Sequence, residues 1–442
     1  MGKKITFIEA LLTAVGLVIG SGIYFRADNI LTATKGNIAV ASLGWLTLGI
    51  CLIFAGIGFS VLANRTKGEG GMIAYLEETW GKTAGFLTGW FCTFVYIPTL
   101  TGVLAIVAAG YLLDLVGVAR AAMPVHAVAA VLIVIVFIWN GLSTKFAALF
   151  SSAATVIKLI PIVVIGLVGL VNFKGDAFNT FQAADATAGW SLGLFTAPLL
   201  SMAFAFDGWM SVGTLSRDME NPQKDIARVF ILNFIIVTVA YVLYFTGISM
   251  LGVKEGIDII AAGDSHVGII AASLFGSVGG KLILVCVVMS VMGTLNGNVM
   301  ACYRYPHALA QNGDLPNSEY FAKESQYGTT FRASLVSIIP LVIWFAMYIA
   351  QAFSAEAAAS GATPDVYFMA GISFDDIPIV TMGLIVIASL VAVMKFGSKE
   401  GYGVLKSIIA PIIGIIGYGF VVVSFFQQNK LALPYLIVVV VI

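Results

Sequence analysis

Gly16-Leu17-Val18-Ile19-Gly20-Ser21-Gly22-Ile23 lies inside an apolar run, residues 7 to 34, that is long enough to cross a bilayer. Three glycines fall within seven residues of it, and each weakens a helix that lipid would otherwise enforce. The spacing predicts a break. Unpaired backbone at membrane depth persists only where protein covers it or a wet cavity meets it. The N–H groups opening the second half-helix, with Ser21 among them, would form a site for a carboxylate. The freed carbonyls of Val18 and Ile19, pointing the other way, would suit an ammonium, so the two ends together fit a zwitterion. A second reading stands beside this one: glycines also let membrane helices approach closely, and the segment could be a packing face.

A matching interruption further along favours the break. Leu200-Ser201-Met202-Ala203-Phe204-Ala205-Phe206-Asp207-Gly208-Trp209 puts an acid and a glycine deep in an apolar stretch from Leu192 to Leu215. These two segments fall in spans one and six, five helices apart, and paired interruptions at corresponding spans point to the binding site of an inverted-repeat transporter. Asp207 has two readings, a cap on the half-helix that follows it or a partner for a substrate ammonium. Phe204, Phe206 and Trp209 are candidates to line the cavity, one phenylalanine closing over a substrate, or are packing residues.

With 442 residues, 60% hydrophobic and 10% charged, the chain is far from a soluble globule, in which about a quarter of residues are charged. Its long apolar stretches lack the period-two alternation of barrel strands, so it is an all-α integral membrane protein. The windows give spans near 7 to 34, 38 to 63, 85 to 115, 124 to 140, 146 to 171, 191 to 216, 227 to 252, 278 to 311, 332 to 353, 374 to 396 and 402 to 426. A twelfth begins at Leu431 and is expected to be cut short, and residues 266 to 277 are expected to form a short extracellular helix. With the N-terminus inside, fifteen lysines and arginines fall on inner segments and seven on outer ones, which predicts a cytoplasmic N-terminus. No cleavage pattern of a signal peptide follows Met1-Gly2-Lys3-Lys4, and the first helix is expected to act as its own insertion signal. Cys51, Cys92, Cys286 and Cys302 read as packing residues, with no disulfide framework or zinc spacing. Nothing points to a cofactor, a metal or a nucleic-acid partner.

Lys158 stands near the middle of span five, about 18 Å from either end at ~1.5 Å per residue, too deep for its stem to reach water. An ammonium there costs roughly 2.5 to 3.5 kcal/mol on insertion scales and is expected to face protein or a wet cavity and to carry out a task. It could donate to loose carbonyls around Val15 and Gly16 and to a hydroxyl such as Ser290. Gly293-Thr294-Leu295-Asn296-Gly297-Asn298 in span eight is polar for a buried helix and reads as either cavity wall or inter-helix contact. Ser216 to Glu220 read as loop charges or inner gating contacts, and Gly68 to Tyr75 as a glycine hinge or a surface turn.

Gly16-x-x-Ile19-Gly20-Ser21-Gly22-Ile23, Phe204-Ala205-Phe206-Asp207-Gly208-Trp209, Glu220-Asn221-Pro222-Gln223-Lys224-Asp225-Ile226 and Lys158-Leu159-Ile160-Pro161 together resemble the amino acid, polyamine and organocation transporter superfamily. The L-amino acid transporter branch, and within it the bacterial alanine-serine-cysteine exchangers, is the nearest likeness. That resemblance implies the leucine-transporter fold, a five-plus-five inverted repeat (1–171 and 191–396) followed by two C-terminal helices (402–442), twelve in all. It implies that backbone N–H groups at Ser21 and Gly22, next to Gly20, receive the substrate carboxylate. Carbonyls near Val18, Ile19 and the Phe204-Ala205-Phe206 turn would receive the amine, with Asp207 beside them. Lys158, beside Gly16 and Ser290, would take the place of the sodium ion of coupled relatives. Animal members of the branch join a heavy subunit through a cysteine between spans three and four. The loop from Asp114 to Pro124 has none, so no such partner is expected, consistent with a bacterial plasma-membrane protein.

The expected function is sodium-independent exchange of small neutral L-amino acids such as alanine, serine and cysteine, and no enzymatic activity. Proton coupling, or a cationic amino acid or amine as substrate, are the alternatives within the fold. An intramembrane hydrolase using Ser21 lacks a base, since His126, His266 and His307 lie at helix ends or in loops. An ion channel would show rings of like charge or a repeated carbonyl filter.

Overall fold

The computed structural model describes residues 4–66, 71–172, 190–325, 329–359 and 373–428. Among them ten helices are long and apolar enough to cross a membrane, and a bent pair, Leu192–Ala205 with Trp209–Ser216, makes an eleventh span. In chain order spans one to five are Phe7–Phe25, Ile38–Arg65, Lys82–Val116, Ala122–Leu142 and Lys145–Val171. The bent pair is span six. Spans seven to eleven are Pro222–Glu255, the helix His266–Gln311, Phe331–Ala357, Asp376–Phe396 and Leu405–Gln428. The expected twelfth span, from Leu431, lies outside the described residues, as do residues 67–70 of the glycine hinge.

Large apolar side chains such as Leu149, Val156 and Val171 are exposed on the outside of the bundle, where lipid takes the place of a protein core. Inside, small residues bring helices into backbone contact. A Cβ on Gly169 of span five would lie 2.3 Å from Gly247 of span seven, so the two chains touch where only glycine fits. All four cysteines are free thiols.

Proline and glycine set the local breaks. Pro98 has no N–H to return to the carbonyl of Phe94, and the turn before it, Cys92–Tyr96, widens into a π-helix. The indole of Trp344 in span nine donates to that Phe94 carbonyl at 3.0 Å. Gly276, at φ 68°, bends span eight and separates the short segment from His266, as the sequence predicts. Span five runs from Lys145 to Val171 as the sequence reads it, with an irregular turn at Lys158 (φ −65°, ψ −20°), three residues before Pro161. Asn296 of span eight ties its neighbours together. Its amide donates to the Ala147 carbonyl (2.9 Å) and Ser151 Oγ (2.8 Å), and its oxygen accepts from Trp139 Nε1 (2.7 Å) and Asn140 Nδ2 (2.8 Å). The polar stretch of span eight is thus, at Asn296, an inter-helix contact.

Candidate functional site

Span one starts on a capping box, Thr6 with Glu9, runs as helix to Val18, turns extended at Ile19 (φ −66°, ψ 100°) and resumes at Gly22. Helix geometry leaves the first N–H groups of the second half, at Ser21, Gly22 and Ile23, without intrahelical acceptors. Ser21 Oγ is buried there with no hydrogen-bond partner among the described residues.

Span six breaks at Phe206-Asp207-Gly208, with a 45° bend. The two breaks lie against one another. A Cβ on Gly22 would sit 2.7 Å from Ala205 Cα, and one on Gly208 would sit 3.1 Å from the Leu17 carbonyl oxygen. Gly208 also holds φ +88°, a left-handed conformation that a side chain disfavours. Glycine at these two positions is what lets the broken backbones meet.

Tyr241 of span seven closes the junction. Its hydroxyl is within donating distance of two carbonyls, Val18 at 3.1 Å and Ala205 at 2.8 Å. A phenol has one proton to give, so the carbonyls compete for it. These are two of the oxygens that the resemblance offers to a substrate amine, and in this conformation the phenol engages them.

The neighbouring side chains divide sharply. Phe204 reaches the first break, its Cδ1 3.2 Å from where a Gly22 Cβ would stand. Phe206 turns the other way, into a cluster with Trp45 (5.6 Å), Tyr241 (5.1 Å) and Phe234 (6.4 Å). Trp209 packs against Phe59 at 4.8 Å and donates from Nε1 to Tyr418 at 2.7 Å. Both Phe206 and Trp209 therefore brace the break rather than face span one. The Asp207 carboxylate lies against the Gly208 N–H that opens the helix after it. It also accepts from Tyr96, in the π-helical turn of span three, at 2.5 Å.

Lys158 is 5% exposed, and its Nζ donates to the Gly16 carbonyl at 2.6 Å. Gly16 itself is pressed on Thr155 of span five, 2.7 Å from the Cβ it lacks. The Lys158 carbonyl accepts from the hydroxyl of Tyr24, beyond the break of span one. Ser290 is buried in span eight beside the Tyr24 hydroxyl, and the ammonium donates to Gly16. Span eight meets the break through Thr294, whose Cγ2 would lie 3.5 Å from a Gly20 Cβ.

Two ties flank the site. On the side away from the N-terminus, Arg26 forms an ion pair with Asp375, the two side chains 8% and 9% exposed. Its guanidinium lies 4.3 Å over the Phe204 ring and 5.0 Å over Phe25. On the N-terminal side, the Ile5 N–H donates to the Asp218 carbonyl (2.7 Å) and the Glu220 N–H donates to the Ile5 carbonyl (3.1 Å). Tyr241, Tyr96, Tyr24 and the Arg26–Asp375 pair are the site residues that sequence reasoning misses. Arg26 alone carried a signal, a cation four residues past Gly22 on the same apolar run.

The amino acid permease family model matches residues 5–442. The serine/threonine exchanger SteT of Bacillus subtilis (strain 168) is 32% identical over 336 residues, 76% of this chain and 74% of that protein. The cystine/glutamate transporter of Homo sapiens is 24% identical over 322 residues, 71% of this chain and 62% of its own length. The large neutral amino acids transporter small subunit 2 of Mus musculus is 25% identical over 328 residues, 71% of this chain and 59% of its own. A family match over nearly the whole chain, on an all-helical bundle with interrupted first and sixth spans, makes this protein a multi-pass membrane transporter and not an enzyme: the chain belongs to the amino acid permease family of the amino acid, polyamine and organocation superfamily.

Proposed function

We propose that the protein is a sodium-independent exchanger of small neutral L-amino acids, such as alanine, serine and cysteine, working by alternating access in the cell membrane with its N-terminus in the cytoplasm. The observation that carries this reading is the Lys158 ammonium 2.6 Å from the Gly16 carbonyl beside the break of span one. A fixed cation there supplies the positive charge that a bound sodium ion would bring to loose carbonyls, without a gradient to drive it. The substrate carboxylate sits on the N–H groups of Ser21 and Gly22. Its ammonium takes the carbonyls of Val18, Ile19 and the Phe204 to Phe206 turn, displacing the Tyr241 hydroxyl from Val18 and Ala205. Residues 1–171 and 191–396 form the two inverted repeats, and the helices from 402 onward follow them.

Alternating access requires a closure at each end that can be broken. The Arg26–Asp375 pair over Phe204 serves the outer mouth, and the pairing of Ile5 with Asp218 and Glu220 serves the inner one. A relative named as a serine/threonine exchanger is in keeping with a short substrate side chain. With no cysteine between Asp114 and Pro124, the protein works without a disulfide-linked heavy subunit.

Uptake of labelled alanine, serine, leucine and arginine into proteoliposomes tests the reading. Preloading with unlabelled alanine should raise alanine and serine uptake many-fold, with no change when sodium replaces choline. Strong uptake into empty vesicles driven by a sodium gradient would refute it, and arginine preferred over alanine would refute the substrate class. A pH gradient driving uptake into empty vesicles would favour proton coupling instead.

A further inference from the structure

Lys158 is engaged twice, by two different parts of span one. Its ammonium holds Gly16 in the first half-helix, and its main-chain carbonyl accepts from the Tyr24 hydroxyl in the second. The residue itself sits at the irregular turn of span five, between Thr144–Ile157 and Leu159–Val171, and its N–H closes the first of these on the Ala154 carbonyl at 3.0 Å. We infer that Tyr24 is a positioning residue for transport: it fixes the Lys158 turn of span five to the outer half of span one so that the Lys158 ammonium is held beneath Gly16 of the inner half.

Several features support this. Tyr24 is fully buried, and its ring meets the edge of Tyr244 at 5.4 Å, which leaves the phenol little freedom. A buried hydroxyl that lost its acceptor would be left unsolvated, so the bond is kept as long as the half-helix stays in place. Displacement of the outer half-helix therefore pulls on the peptide that follows Lys158. The side chain of the same residue passes that pull to Gly16, eight residues before Tyr24 and across the break. The halves of span one are in this way coupled through a third helix, although no continuous helix joins them. The inference rests on the transport reading above.

The test is Tyr24→Phe, which removes the hydroxyl and keeps the ring, alone and combined with Lys158→Met, in alanine-preloaded proteoliposomes. Tyr244→Phe serves as the control, since the Tyr244 hydroxyl has no hydrogen-bond partner among the described residues. Loss of one buried hydrogen bond predicts roughly three- to tenfold slower maximal exchange for Tyr24→Phe, with KM near the wild-type value. In the Lys158→Met background the same change should cost nothing further, because there is no ammonium left to place. Tyr244→Phe should exchange at the wild-type rate. Wild-type exchange by Tyr24→Phe, a rise in KM with unchanged maximal rate, or full additivity with Lys158→Met would each overturn the inference. A Tyr24→Phe protein that no longer purifies as a folded, monodisperse species would overturn it too, by making the hydroxyl a structural tie. The wild-type measurement separates these outcomes from failure of the transport reading, which would appear as no exchange in any vesicle.

Discussion

Replacing Lys158 with methionine keeps an unbranched stem of similar length and removes the ammonium. The bond lost is charge-assisted, from Nζ to the Gly16 carbonyl at 2.6 Å, and such bonds are worth about 1.5–3 kcal/mol net. Part of that is returned, because a methionine needs no desolvation of a buried charge. A residual loss of about 1.4–2.8 kcal/mol corresponds to roughly 10- to 100-fold. Where that loss falls decides the mechanism. Lys158 touches Gly16 and Tyr24, and its ammonium bonds none of the groups assigned to the substrate, so the ground-state complex should be little affected. Its contacts lie across the break of span one, which must bend as the site changes sides, so the loss should appear in the conformational step. Alanine exchange in preloaded proteoliposomes should therefore slow roughly 10- to 100-fold. Equilibrium binding of labelled alanine to purified protein should change by no more than about threefold. Equal losses in exchange and binding would refute the argument, because they would place the ammonium in the substrate site. Unchanged exchange would refute it as well.

Three other substitutions probe the surrounding architecture. Gly208→Ala must hold a left-handed backbone at roughly 1–2 kcal/mol and set a methyl 3.1 Å from the Leu17 carbonyl, so it should separate the two breaks and raise the alanine Kd about tenfold or more. Asp375→Leu strips a buried guanidinium of its ion-pair partner at a cost of about 3–5 kcal/mol; the Tm should fall, and the pair Arg26→Leu with Asp375→Leu should recover most of it while leaving the outer mouth poorly closed to thiol reagents aimed at a cysteine placed at Phe204. Asn296→Leu leaves the Trp139 indole without its acceptor and the Asn140 amide with the Val136 carbonyl alone, and thermal unfolding in detergent should show a destabilisation of about 1–3 kcal/mol with the alanine Kd unchanged.

The two interruptions were legible because each is written locally, in the glycines of 16 to 22 and in Asp207-Gly208. The short helix before span eight was legible from its length, an apolar segment at 266 to 277 too brief to cross, whereas the glycine that ends it, Gly276, was not singled out. Span five hid its irregular turn at Lys158 behind an unbroken apolar run. Pro161 is the local cause, but a proline one turn into a helix is equally at home in an undisturbed one, so its effect shows only with the partners in place. The side-chain partners were out of reach altogether. Arg26 pairs with a residue 349 positions away, Tyr96 with one 111 away and Tyr241 with carbonyls 36 and 223 away. Such pairings depend on how spans pack, and that packing is set by many small-residue contacts such as Gly169 on Gly247. Asp207 shows the limit of reasoning locally: an acid before a half-helix reads as a cap, and the tyrosine from span three that also donates to its carboxylate has no signal in the sequence around it.

The structure of the protein with alanine bound, in sodium-free buffer, tests the central claim most directly. The account predicts the alanine carboxylate within hydrogen-bond reach of the Ser21 and Gly22 N–H groups, its ammonium on the Val18 and Ala205 carbonyls, and Lys158 Nζ still on Gly16. Alanine bound away from the two breaks, or Lys158 withdrawn from Gly16 while substrate is held, would contradict it.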